Sequence, residues 1–173
     1  KENNEFDRKM IEQISGMGYS EFEAKARTML SQNSEYLQLT NGNWKVCHKE
    51  ELLDQCKDKM FDDSIGRLLK AVESILRQKS KCLASKMPYF IPVSGEYDNS
   101  LELRGNLVKS LCWVKKNLSE LSQCNQEKIK NNIYALVSTL LQDAKWITWT
   151  SLRDCLQNLA ELSPEAFLKE AER

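Results

Sequence analysis

A chain of 173 residues is long enough for one domain or two small lobes and can bury about 70% of its unfolded surface. With 41% hydrophobic and 29% charged residues, six glycines and three prolines, it is ordinarily globular, which excludes a low-complexity or collagen-like chain. Its 25 basic and 25 acidic residues cancel; 12 basic face 14 acidic through Gln78 and 13 face 11 after it, so neither part has the excess that phosphate-backbone binding uses.

In chain order, Phe6, Met10, Ile11 and Ile14 keep helical spacing, and Gly16 with Gly18 closes that helix. Ser20-Glu21-Phe22-Glu23 has the form of a capping box, followed by an apolar stripe of Phe22, Ala26, Met29 and Leu30. After Asn33-Ser34, residues 36–46 alternate in polarity about Asn41-Gly42. That dipeptide suits a type I′ turn, whose two central residues both need positive φ, and predicts a β-hairpin. Helix, helix, hairpin reads as the back half of a winged helix whose usual first helix would lie before Lys1. Leu52, Leu53, Cys56 and Met60 mark a helix from about His48 to Met60. Asp62 or Asp63 is expected to cap the next, which carries a long stripe through Ile65, Leu68, Leu69, Val72, Ile75 and Leu76.

Residues 79–99 hold Pro88, Pro92 and Gly95 and no sustained period. They read as a long connection that packs on a surface through Tyr89, Phe90, Ile91 and Val93. The remainder is helical. Leu103, Leu107, Leu111, Val114 and Leu118 line one helix; Ile129, Ile133, Leu136, Val137, Leu140 and Leu141 line another; Leu152, Leu156, Leu159 and Ala160 line a third. Ser163-Pro164-Glu165 starts a last helix, with serine as cap, proline at the first turn and an acid beside it. The chain stops at Arg173 with that helix barely begun, so the helical lobe is expected to be truncated there.

The expected fold is therefore mainly α: a partial winged-helix lobe with one β-hairpin, then an α-helical bundle or the start of an α-solenoid. The expected division is 1–78 for the winged-helix-like lobe, 79–99 for the connection and 100–173 for the helical lobe.

Residue chemistry points away from catalysis. Cys47-His48 and Cys56 form the only local gathering of metal-type ligands, without the closely spaced pairs that a four-ligand zinc site uses. His48 is the sole histidine, and no nucleophile elbow accompanies it. No phosphate-cradling glycine loop occurs; Gly16-Met17-Gly18 reads as a turn. Glu50-Glu51 and Asp62-Asp63 open helices, where the helix dipole favours acids. The six spaced cysteines read as free buried thiols of a reducing cytoplasm. No apolar run is long enough for a membrane span. Catalytic, cofactor-binding and metal sites are accordingly expected to be none.

For DNA, the candidate recognition helix from Ser20 to Gln32 carries Lys25 and Arg27 against Glu21 and Glu23, and the wing offers Lys45 near Trp44. Arg77, Lys79, Lys81 and Lys86 make the best basic patch, without interleaved aromatics. Trp44 is expected to pack at the root of the wing, and Trp113, Trp146 and Trp149 where helices meet.

Two stretches carry a resemblance. Met10-Ile11-Glu12-Gln13-Ile14-Ser15-Gly16, Tyr19-Ser20-Glu21-Phe22-Glu23 and residues 39–46 resemble the segment after the ATPase core in very large bacterial STAND-type NTPases of the kind associated with phage defence. Leu103-Arg104-Gly105-Asn106-Leu107, Trp149-Thr150-Ser151-Leu152 and the run from Leu159 to Leu168 resemble the helical region that follows in the same proteins. The chain departs from them at Cys47-His48, where a serine-like cap usually opens the third helix.

The resemblance implies a cytoplasmic regulatory or interaction segment between a nucleotide switch and a sensor. Its partners would be other domains of the parent protein and a protein ligand; the parent would be the ATPase, with its phosphate loop upstream. The alternative is a nucleic-acid-binding winged-helix protein, which the neutral charge disfavours.

Overall fold

The computed structural model describes residues 3–32, 35–80 and 97–172. Helix α1 (Glu5–Ser15) starts on Asn4, whose side chain accepts from the backbone N–H groups of Phe6 and Asp7. It ends on Gly16 at φ 72°, the left-handed stop expected there.

Helix α2 (Tyr19–Ser31) begins one residue before the expected capping box, which does not form. Gly18 occupies the cap position and has no side chain to offer. Glu12 of α1 takes the role instead, its Oε1 accepting from the Tyr19 N–H at 2.8 Å. The corner between the two helices is thus fixed by a carboxylate from outside α2. Of the expected α2 stripe only Ala26 is buried, and Met29 is exposed.

Strands β1 (Leu37–Thr40) and β2 (Asn43–Val46) pair antiparallel with Thr40 opposite Asn43, leaving a two-residue loop. Asn41 at φ 50° and Gly42 at φ 71° both take the positive φ of the expected type I′ turn. Helix α3 (Lys49–Cys56) continues as a 3₁₀ turn, Lys57–Lys59, and has no buried residue. His48 precedes it at φ 49° without a side-chain cap.

Helix α4 (Asp62–Leu76) starts after Phe61, with neither aspartate as its cap. Asp62 is spent on a neighbour: its carboxylate accepts from the Asn125 N–H at 2.8 Å and lies 3.4 Å from the Lys128 ammonium. The α4 stripe behaves as its spacing requires, with Ile65, Leu69, Val72, Ile75 and Leu76 buried and Leu68 packed at the margin.

Helices α5 (Leu101–Lys116) and α6 (Gln126–Leu141) both pack on α4. All six α6 residues of the expected stripe are buried. The expected third helix is broken into α7 (Trp146–Leu152), a 3₁₀ turn over Arg153–Cys155, and α8 (Leu156–Leu162). Helix α9 (Pro164–Ala171) opens as expected, with the Ser163 side chain accepting from the Ala166 N–H.

Among the described residues the molecule is mainly α with one β-hairpin. One buried cluster joins α4 to α5, α6, α8 and α9, so the core runs across both sides of the expected connection. Residues 81–96 of that connection, with Cys82, Lys81 and Lys86, lie outside the described residues, as do Asn33-Ser34. No helix among the described residues is long and apolar enough to cross a membrane.

Candidate interaction groove

The side chains weighed for chemistry are dispersed. His48 packs edge-on against Tyr36 with ring centroids 6.5 Å apart. Cys47, Cys56, Cys112, Cys124 and Cys155 are free thiols. Burial pushes the thiols of Cys112, Cys124 and Cys155 above their ordinary range, which lowers the thiolate fraction a nucleophile would need. Among the described residues, no three His, Cys, Asp or Glu side chains gather closely enough to hold a metal ion. Glu50 and Glu51 occupy the first turn of α3, and Asp62 and Asp63 that of α4.

The cations of the candidate recognition helix are engaged locally. Lys25 meets Glu21 at 2.7 Å and Arg27 meets Glu23 at 2.6 Å, both across one helical turn. Arg77 likewise meets Glu73 at 2.8 Å. Arg27 also lies over the Trp44 ring, 5.6 Å from its centroid. Trp44 is half-buried, and its indole N–H is shielded from water without an acceptor. Trp113 and Trp149 pack against the core as expected, Trp149 edge-on to Phe167 at 5.9 Å. Trp146 departs from expectation: it stands at the start of α7 and is 62% exposed.

Two arrangements tie the elements together. Asp7 is buried, and its Oδ1 accepts from the Ser100 N–H at 2.9 Å and the Asn99 side-chain amide at 3.2 Å. Burial pushes this carboxyl up, while hydrogen bonds with Ser100 and then the N-terminal ammonium pull it down, and the balance lies below the ordinary carboxylate value. The second is Arg104, 1% exposed, whose guanidinium donates to the carbonyls of Ile75 and Ser151 and lies 4.3 Å from the Tyr97 ring centroid. It closes the C-terminal ends of α4 and α7 against α5. Arg104 stands in the Leu103–Leu107 motif, but neither its buried role nor that of Asp7 follows from the sequence, because a charged residue beside an apolar stripe reads as solvent-facing.

Between the hairpin with α3 on one side and α5 on the other lies an open groove of about 730 Å³. Its walls are mainly apolar, with Ile11, Tyr19, Trp44, Leu52, Leu53 and Leu103 prominent. All four residues of β2 line it, whereas no residue of β1 does. Asp7 and Glu102 stand at the end near the start of α5; Ser110 stands two turns further along that helix. Lys49 lines the groove from α3, and burial, then the charge of Lys109, draw its ammonium below the ordinary lysine pKa. The volume falls in the range of about 300–1,000 Å³ common to ligand clefts.

No family model matches the chain, and no similar curated protein or solved structure was found.

Proposed function

We propose that the chain is a non-catalytic regulatory and interaction segment of a larger cytoplasmic bacterial ATPase of STAND type, placed between its nucleotide switch and its sensor region. The observation that carries this reading is the pairing of a well-buried helical core with an apolar groove under a hairpin and helix that have little core of their own. Such a surface suits docking, because only contacts that differ between two states can shift an equilibrium between them. The order helix, helix, hairpin supports the winged-helix part of the proposal. The paired charges of α2 speak against DNA as the partner, since Glu21 and Glu23 neutralise the cations a recognition helix would present.

The encoding reading frame tests it. Upstream codons should specify a Gly-x-x-x-x-Gly-Lys loop followed by Ser or Thr, and a frame opening near Lys1 overturns the proposal. In the parent protein, amides of β2 and α3 should change their hydrogen-exchange protection between the ATP-bound and ADP-bound states.

A further inference from the structure

Hairpin geometry determines which backbone groups of β2 are left without partners. The two-residue loop makes Thr40 and Asn43 a hydrogen-bonded pair, and bonded and non-bonded pairs then alternate along the ladder. The Cys47 N–H donates to the Tyr36 carbonyl at 2.9 Å, in phase with that alternation. Trp44 and Val46 therefore turn their N–H and C=O groups away from β1. No described residue bonds to them. Since β2 lines the groove along its whole length and β1 does not line it, the groove lies on this unpaired side.

The charge around the groove is polarised. At the start of α5 are Asp7, already held by Ser100 and Asn99, and Glu102. Seven residues separate Glu102 from Lys109, about 10 Å along the helix axis. Lys49, half-buried, lines the groove within reach of the Lys109 charge, and among the described residues neither of them nor Lys45 forms an ion pair. Lys49 lines the partly apolar wall, Lys109 lies exposed beside it, and both lack a counter-charge, so a carboxylate arriving at Lys49 gains from both.

We propose that β2 takes an added strand: an extended peptide segment that pairs its backbone with Trp44 and Val46, lays alternate apolar side chains on Leu52, Leu53 and Leu103, and sets an Asp or Glu between Lys49 and Lys109. This deepens the interaction-segment reading and rests on it. Backbone pairing gives such a complex its affinity, and the pockets under alternate side chains give it selectivity.

The test uses the whole chain against a phage-displayed library of random octapeptides. Enriched sequences should alternate apolar and polar residues and carry an acid near one end. A synthetic copy of the most enriched peptide should shift the backbone amide resonances of Trp44 and Val46. Methylating every second peptide nitrogen, on the side that faces β2, should abolish binding, whereas methylating the other side should spare it. Lys49→Glu and, separately, Lys109→Glu should each weaken binding about tenfold or more.

Enriched sequences with helical spacing, or affinity indifferent to nitrogen methylation, would overturn the added strand and leave the interaction-segment reading standing. Absence of any enriched sequence would overturn it too. Decanoate seated at Lys49 with no peptide bound would identify the groove as a site for small amphiphiles instead. A reading frame without the phosphate loop removes the STAND reading whatever the peptides do, so the two failures are distinguishable.

Discussion

Helices α6 and α3 are written with the same kind of apolar spacing, yet they end in opposite environments. Ile129, Ile133, Leu136, Val137, Leu140 and Leu141 of α6 are all buried, whereas α3 buries none of its residues. Periodicity establishes that a helix has an apolar face; a partner for that face is a separate matter. Helix α6 meets α4 on one side and α9 on another. The face of α3 with Leu52 and Leu53 looks into a groove. The stability of the molecule is thus concentrated in the helices around α4, where each buried side chain contributes about 1.5–3 kcal/mol. The hairpin and α3, with few buried side chains, are expected to open at lower cost than the helices around α4.

The sharpest way to break that contrast is to truncate one leucine on each side of it. Leu111 is fully buried in the core. Leu111→Ala should cost about 2–5 kcal/mol in a urea unfolding curve, through lost transfer energy and the cavity left behind. Leu53→Ala, at the groove wall, should cost under about 1 kcal/mol, because water already reaches that site. Equal losses would mean that the groove is as much a part of the core as α5.

Arg104 tests the same contrast through polar groups. Arg104→Met keeps much of the side-chain volume and removes the donors to Ile75 and Ser151. Leaving two buried carbonyls unpaired should cost about 2–4 kcal/mol, read as a lower urea midpoint. Restoring the full midpoint with methionine would show that the arginine is retained for something other than stability.

The regular part of this structure is legible in the sequence because local rules decide it. The Asn41-Gly42 turn, the Gly16 stop, the Ser163 cap and the α4 and α6 stripes all follow from steric or periodic requirements within a few residues. The expected elements that fail do so through contacts distant in sequence. Ser20 loses its capping role to Glu12, and Asp62 is drawn away to Asn125 across 63 residues. The helix expected through Leu152 and Leu156 breaks at Arg153–Cys155, beside the point where Arg104 takes the Ser151 carbonyl. The groove was not legible at all. It exists because β2 and α3 stand off from α5, and no short-range pattern encodes a gap.

Asp7 ties α1 to the start of α5, since α1 carries it and its partners Asn99 and Ser100 stand before α5. Its folded pKa lies below that of the unfolded chain, so the stability it contributes is present above the unfolded value, about 3.9, and is lost as pH falls through the folded value. Asp7→Asn should cost about 1–2 kcal/mol near neutral pH and flatten the acid limb of the stability profile below about pH 4. An unchanged acid limb would assign that limb to other carboxylates. Within the hairpin, Gly42→Ala places a side chain at φ 71° and should cost about 1 kcal/mol. If the hairpin opens independently, the loss should show as faster amide exchange in β1 and β2 with an unchanged midpoint for the core.

The smallest expected effect concerns α2, where Glu23 lies 2.6 Å from Arg27 and both side chains are partly solvated. A pair of this kind across one helical turn gains about 0.3–0.5 kcal/mol, since solvent screens the attraction and ordering two long side chains offsets part of it. Glu23→Gln should therefore move the unfolding midpoint by less than about 0.5 kcal/mol. The same change removes one negative charge from the face where Arg27 lies over Trp44. Were α2 a DNA-reading helix restrained only by its acids, Glu21→Gln with Glu23→Gln would produce duplex binding that weakens steeply with salt. With the chain's overall charge near zero, the two cations so released, Lys25 and Arg27, supply too few phosphate contacts for that. The expected outcome is near-unchanged stability and no salt-sensitive gel shift, and a shift appearing in about 50 mM salt would favour nucleic acid over a protein as the partner of the hairpin region.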